Sequence, residues 1–222
     1  MHTLLLETID EAAHSELEQQ STTTLAATPD ADLGDEDLTD VEAIITRGRG
    51  QVTSQLLARC PNLRVIGRCG VGLDNVDVAA ATAAGVAVIN APGSPAITTA
   101  EHTIMLMLAL TRRLYPQVAA VKSDDWAVRA RVDADECAGK TLGVVGLGAI
   151  GRRVAEVSTV LGMEVIAYNR TTRDDTEVRT SVRMLPFAEL LAESDIVSLH
   201  VAFTPETRGL IGRPELATMK PG

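Results

Sequence analysis

The sequence predicts an α/β protein built on doubly wound parallel sheets, and three observations carry that expectation. Short aliphatic runs alternate with helical segments between Thr3 and Asn90 and again between Thr141 and His200. Repeated βα units of this length close into parallel sheets. A glycine-rich turn, Gly146-Leu147-Gly148-Ala149-Ile150-Gly151, lies between a predicted strand and an amphipathic helix. Hydrophobic residues make up 45% of the 222 residues while aromatics make up 2%, so the core must be Ala, Val, Leu and Ile. That mixture suits strands buried on both faces.

In chain order, Thr3–Leu6 reads as a strand and Asp10–Gln20 as a helix carrying Leu17 inward. Thr22–Ala26 and Ala43–Thr46 are the next strands. Thr53 caps a helix that Pro61 stops after Cys60. Leu63–Gly67 is a strand, Asp74 or Asn75 caps a helix ending at Gly85, and Val86–Asn90 is a fifth strand. Pro92, Gly93 and Pro95 mark a break. A helix over Ala100–Leu114 is hydrophobic almost all round, which predicts burial, and Lys122–Lys140 is ambiguous between helix and loop. The second series has a strand over Leu142–Val145, a helix over Ile150–Leu161 and a strand over Glu164–Tyr168. A short strand near Arg183–Leu185, a helix over Phe187–Glu193 and a strand over Ile196–His200 complete it.

A formal charge of −10 disfavours nucleic acid and anionic membrane surfaces as partners. The longest apolar run, Ile104–Leu110, is far short of the roughly 20 residues a bilayer needs. The first ten residues lack a signal-peptide pattern. Cys60, Cys69 and Cys137 are odd in number and form no C-x-x-C pair, so reduced thiols in a cytoplasmic protein are expected. No metal-ligand spacing is evident.

The turn at Gly146–Gly151 fits G-x-G-x-x-G. The first glycine allows a tight turn, the second a close approach to a pyrophosphate, and the third close packing of helix on strand. Helix N–H groups and the positive end of the helix dipole then face the anion. A nicotinamide dinucleotide bound as NAD normally meets Asp or Glu about 20 residues further on, at its ribose 2′-hydroxyl. Asn169 stands there, followed by Arg170, and Thr171, Thr172 and Arg173 come next. A carboxylate would repel a 2′-phosphate, whereas Asn, Arg and Thr can hold one, so NADP(H) is favoured over NAD(H). Solvated loop charge is the alternative explanation of Arg170 and Arg173. For Arg47 and Arg49, which follow a predicted strand, both surface charge and a substrate-anchoring role stay open.

Several segments together resemble the D-isomer-specific 2-hydroxyacid dehydrogenases. They are Arg68–Asp77 (RCGVGLDNVD), Asn90–Gly93 (NAPG), Thr99–Thr103 (TAEHT), Gly139–Gly143 (GKTLG) and His200–Ile211 (HVAFTPETRGLI). That family includes phosphoglycerate, glyoxylate/hydroxypyruvate and formate dehydrogenases. The resemblance implies a flavodoxin-like substrate domain over residues 1–97 and an incomplete Rossmann domain over 98–222, with a cleft between them. It places Ala149 and Ile150 amides on the pyrophosphate, Asn169 and Arg170 at the adenosine ribose, and Val71 and Val201 along the coenzyme. The turn Gly70-Val71-Gly72 would present amides to the carboxylate of a small 2-oxo or 2-hydroxy acid. Ala202 departs from the proline usual after His-Val.

The family's arginine, glutamate and histidine of hydride transfer are expected beyond Gly222, so the resemblance assigns no catalytic residue to these 222. The chain is therefore expected to be an N-terminal portion, inactive alone, of an enzyme that is a homodimer at full length. A nucleotide-sensing interaction protein, like the transcriptional co-repressors that share this fold, is the alternative.

Overall fold

The computed structural model describes residues 1–28, 37–170 and 182–221. The chain divides into two compact units, Met1–Ser94 and Pro95–Gly222.

In the first unit, β1 (His2–Leu5), α1 (Glu11–Glu18), β2 (Thr22–Leu25), β3 (Ala43–Thr46), α2 (Ser54–Arg59), β4 (Val65–Arg68), α3 (Val78–Ala83) and β5 (Ala87–Asn90) follow in turn. The five strands are all parallel, in the order β2-β1-β3-β4-β5. This is the flavodoxin-like order, whose ligand crevice falls where the winding reverses, between β1 and β3. Leu4, Ile44 and Ile66 occupy matched positions of neighbouring strands and are fully buried, packing with Leu56, Val52 and Val41.

Two expectations need correction here. The cap of α3 is Asp77, which accepts from the Ala80 amide, in place of Asp74 or Asn75. Asn75 is instead drawn inward, donating to Thr46 Oγ1 and the Gly50 carbonyl, while Val76 bridges to Val52. A buried amide that finds two acceptors is worth more there than at a helix end. Leu17 is half-buried at most, since α1 carries no buried residue.

The second unit contains α4 (Ala96–Thr111), α5 (Leu114–Lys122), a 3₁₀ turn (Trp126–Ala130), β6 (Thr141–Val145), α6 (Ala149–Val160), β7 (Glu164–Tyr168), β8 (Arg183–Met184), α7 (Phe187–Glu193), β9 (Ile196–Leu199) and α8 (Arg213–Thr218). Its strands are parallel in the order β8-β7-β6-β9. That reproduces positions 3-2-1-4 of the six-stranded Rossmann order, with the switch point between β6 and β9. Alternate residues serve opposite faces. Leu142, Val144, Val165 and Ala167 pack with Val154 and Ala155 of α6, whereas Val145 and Ile166 pack with Leu190 and Leu191 of α7.

The helix predicted over Ala100–Leu114 starts earlier, at Ala96, and breaks at Arg113, which adopts a left-handed conformation (φ 51°). The next helix, α5, was not anticipated. Pro116 sits in its first turn, where a missing N–H costs nothing. The expected burial of α4 is also wrong. Ala100 and Met107 are its buried residues, while Met105 and Leu106 stand about half exposed and Leu110 is 77% exposed. One stripe of α4 lies on the α6 core, and the stripe turned away has no cover among the described residues.

Candidate functional site

The glycine turn occupies the switch point of the second sheet. Gly146 leaves β6 with φ 100°, a left-handed value that side chains rarely adopt, and a Cβ there would lie 2.9 Å from the His200 carbonyl oxygen. Gly151 is equally constrained, because a Cβ would lie 2.0 Å from the Gly146 carbonyl oxygen. Gly148 differs from both. Its φ is −74°, and among the described residues no atom comes within 4 Å of a Cβ placed on it. The glycine that the protein's own packing does not need is therefore the one facing open space.

That space is the mouth of α6. Gly148 is its N-cap, and no side chain among the described residues caps the helix. The amides of Ala149 and Ile150 lie in the first turn, whose N–H groups have no partner within a helix. A cavity of about 640 Å³ opens over it, lined by Gly146, Gly148, Ala149, Asn169, Arg170 and Val201, with Thr204, Glu206 and Thr207 on the β9 side. The Ile150 side chain is turned away from it into the core, and Gly151 is buried beneath. An uncapped helix start in a crevice is suited to bind a diphosphate.

The walls are held by specific hydrogen bonds. Gly146 donates to the Tyr168 carbonyl (2.8 Å), and the Leu147 amide donates to Asn169 Oδ1 (2.7 Å). The Asn169 carbonyl oxygen thus braces the turn, leaving Arg170 as the charged group at the end of β7. Thr171, Thr172 and Arg173 lie outside the described residues. On the other side, Thr207 Oγ1 donates to the Ala202 carbonyl (2.6 Å) and accepts from the Thr204 amide (2.8 Å). Alanine at 202 therefore leaves a turn that Thr207 closes. His200 is half-buried at the end of β9, its ring 2.8 Å from Ser198 Oγ, and burial lowers its pKa so that the imidazole is neutral near pH 7.

In the first unit, the Gly70-Val71-Gly72 turn follows β4. Asn90 Nδ2 donates to the Val71 carbonyl (2.7 Å), Ala91 N donates to the Gly70 carbonyl (2.9 Å), and Val71 is 42% exposed. A second cavity of about 630 Å³ opens at the carboxyl ends of β1 to β4, lined by Glu7, Thr8, Arg47, Arg49, Arg68 and Cys69 among others. Sequence reasoning passed over two of these residues. Arg68 adds a third guanidinium, and its buried Nε has no hydrogen-bond partner among the described residues. Glu7 is the hub of the turn after β3. Its Oε1 accepts from the amides of Arg47 (3.0 Å), Arg49 (2.9 Å) and Gly50 (2.8 Å). Desolvation pushes the Glu7 pKa up, but the amides of Gly50, Arg47, Arg49 and Gly48 outweigh it and leave the carboxyl below its usual range. The signal for Glu7 was a lone acid immediately after a strand, which spacing alone does not single out. Among the described residues no cluster could hold a metal ion, and no helix is long and apolar enough to cross a membrane.

A parallel sheet in this order, with a glycine turn at its switch point, defines a Rossmann-type domain. The profile described as "D-isomer specific 2-hydroxyacid dehydrogenase, NAD binding domain" matches residues 104–222. The chain belongs to the D-isomer-specific 2-hydroxyacid dehydrogenase family. It is 42% identical over 181 residues to D-3-phosphoglycerate dehydrogenase of Archaeoglobus fulgidus, covering 82% of this chain and 34% of that protein. The enzyme of the same name from Mycobacterium tuberculosis strain H37Rv is 41% identical over 198 residues, 89% of this chain and 35% of its own. The chain thus spans about a third of the length of the curated relatives it matches. Among solved structures, a glyoxylate reductase from Paecilomyes thermophila superposes with TM-score 0.85 at 32% identity, covering 99% of this chain and 70% of that one. D-lactate dehydrogenase from Aquifex aeolicus, complexed with NAD and lactic acid, gives 0.88 at 30% identity, covering 99% and 66%.

Proposed function

We propose that these residues are the N-terminal portion of an oxidoreductase that acts on the CH–OH group of small 2-hydroxy acids with a nicotinamide dinucleotide. The observation that carries this is the open space at Gly148 over the uncapped start of α6. A dinucleotide, when bound, supplies the hydride carrier. The chain's own residues bind and orient it: Ala149 and Ile150 amides hold the pyrophosphate, Gly146 and Gly151 keep the turn closed, and Val201 lines the coenzyme face. Asn169 fixes the wall, and Arg170 holds a 2′-phosphate, which favours NADP(H) over NAD(H). Val71 adds an apolar coenzyme contact, and the Gly70-Val71-Gly72 turn presents amides to the substrate carboxylate.

Two substrate classes fit the family, 3-phosphoglycerate and the glyoxylate/hydroxypyruvate pair, and the first-unit cavity favours the former. Arg47, Arg49 and Arg68 bring three positive charges to it against one negative charge on Glu7, whose Oε1 is engaged by backbone amides and whose Oε2 lies 4.0 Å from Arg49 Nε, leaving a net positive surplus. A substrate with a carboxylate and a phosphate would use both the glycine turn and this surplus. Turnover by these residues alone is not expected, because the resemblance assigns none of the family's hydride-transfer arginine, glutamate and histidine to them.

Titration by nucleotide fluorescence tests the proposal. NADPH is expected to bind about tenfold more tightly than NADH, the scale of one charge-assisted hydrogen bond. Tighter NADH binding ends the NADP(H) preference, and failure of both to bind overturns the function. Calorimetric titration with 3-phosphoglycerate and with glyoxylate separates the substrate classes, binding of glyoxylate alone being the result against the arginine cavity.

We also infer that the full-length protein is a homodimer through α4. Its outward stripe carries Met105 between Glu101 and Arg112, three turns apart along one face. An antiparallel pairing with a second copy would set each Glu101 against the other's Arg112, the self-complementarity that a two-fold interface requires. Sedimentation of the full-length protein as a dimer is expected, converted to monomer by Met105→Glu. A monomer without that substitution would exclude it.

A further inference from the structure

We propose that Glu206 is a second coenzyme-selecting residue, opposing Arg170 across the cavity: its carboxylate repels a 2′-phosphate and accepts a hydrogen bond from a ribose hydroxyl. The proposal rests on the coenzyme role of this cavity stated above. The carboxylate that a Rossmann domain normally carries at the end of its second strand is replaced here by Asn169, whose oxygen is committed to the Leu147 amide. A carboxylate nevertheless lines the same cavity, from the other side. Arg170 follows β7 and Glu206 lies in the turn after β9, and these two strands flank β6 on opposite sides. The glycine turn that ends β6 therefore lies between an arginine and a glutamate.

The position of Glu206 is fixed by its neighbours. Thr207 ties the turn to the Ala202 and Thr204 backbone, and the Arg208 amide donates to the Thr204 carbonyl (2.9 Å). The Thr204 side chain and the Glu206 amide hold the Glu206 carboxyl below the usual carboxylate range, with the positive charge of Arg170 adding to the effect. Glu206 is therefore ionised whenever a coenzyme would bind near neutral pH. A 2′-phosphate arriving between them gains Arg170 but meets Glu206, whereas an unphosphorylated ribose meets an acceptor. The net preference is a difference between the two, which accounts for an arginine at the β7 end in a family whose profile is named for NAD.

The test is a comparison of NADPH and NADH affinities, by nucleotide fluorescence, for the unsubstituted chain, Glu206→Gln and Arg170→Ala. Glu206→Gln is expected to raise the NADPH-to-NADH affinity ratio about three- to tenfold at low salt, the scale of one charge pair in a solvent-exposed site. The shift should shrink as salt is added. Arg170→Ala should move the ratio the other way, and Glu206→Lys should exceed Glu206→Gln in the same direction, with circular dichroism confirming an intact fold. An unchanged ratio in Glu206→Gln and Glu206→Lys, with coenzyme still bound, overturns the role of Glu206 and leaves the coenzyme site standing. If neither coenzyme binds the unsubstituted chain, the site and the selector fall together.

Discussion

Gly151→Ala is expected to destabilise the second unit by about 3 kcal/mol and to abolish measurable coenzyme binding. The added Cβ would sit 2.0 Å from the Gly146 carbonyl oxygen and 3.2 Å from Val144 Cγ1, and neither is the free end of a flexible side chain. The start of α6 must therefore move away from β6, spoiling the packing of Val154 and Ala155 on Val144 and displacing the amides of Ala149 and Ile150. A loss of this size corresponds to a Tm lower by roughly 10 °C for a domain of this length. Gly148→Ala is the contrasting case. Its backbone angle suits alanine and its Cβ meets no atom of the described residues, so the stability cost should stay within about 1 kcal/mol, the range of a poorer N-cap. Coenzyme affinity should still fall at least tenfold, because the methyl group fills the space reserved for the pyrophosphate. Thermal denaturation and coenzyme fluorescence on both variants decide the matter. A Gly148→Ala protein that binds coenzyme normally would remove the ligand from this crevice, and a Gly151→Ala protein of undiminished Tm would contradict the packing.

This pair of glycines also shows what was legible in the sequence and what was not. The spacing of Gly146, Gly148 and Gly151 between a strand and an amphipathic helix is local, so it could be recognised without any tertiary information. The same holds for the βα alternation, since β3 and α7 fall on the residues expected from pattern alone. The failures involve information that is not local. Hydrophobicity all round α4 predicted burial, but periodicity records which side chains avoid water and not what covers them. The break at Arg113 depends on a left-handed residue for which arginine gives no warning. At Asn169 spacing marks the position but not that its oxygen is turned onto the Leu147 amide, a contact across 22 positions that no spacing rule contains. Glu206 was passed over inside a recognised segment because its significance depends on Arg170, 36 positions earlier and on a different strand end.

Glu7 was invisible for the same reason, and its removal carries the other large expected effect. Glu7→Ala should destabilise the first unit by about 3 kcal/mol, since three backbone amides, at Arg47, Arg49 and Gly50, lose a common charged acceptor. Hydrogen bonds to an ionised group contribute more than neutral ones, but three that share one oxygen do not add fully. The turn they hold also carries the side chains of Arg47 and Arg49, so affinity for 3-phosphoglycerate should fall with stability. The pH dependence distinguishes the charge from the packing. The folded-state pKa of Glu7 is depressed, so its stabilisation is fully present above the unfolded value, near pH 4 to 5, and is lost as pH falls through the lower folded value. Urea denaturation at pH 7 and at about pH 3 should therefore show the gap between the unsubstituted chain and Glu7→Gln narrowing in acid. A gap that stays constant across that interval would mean that Glu7 acts by shape alone, and the amides of the β3 turn would need another source of their order.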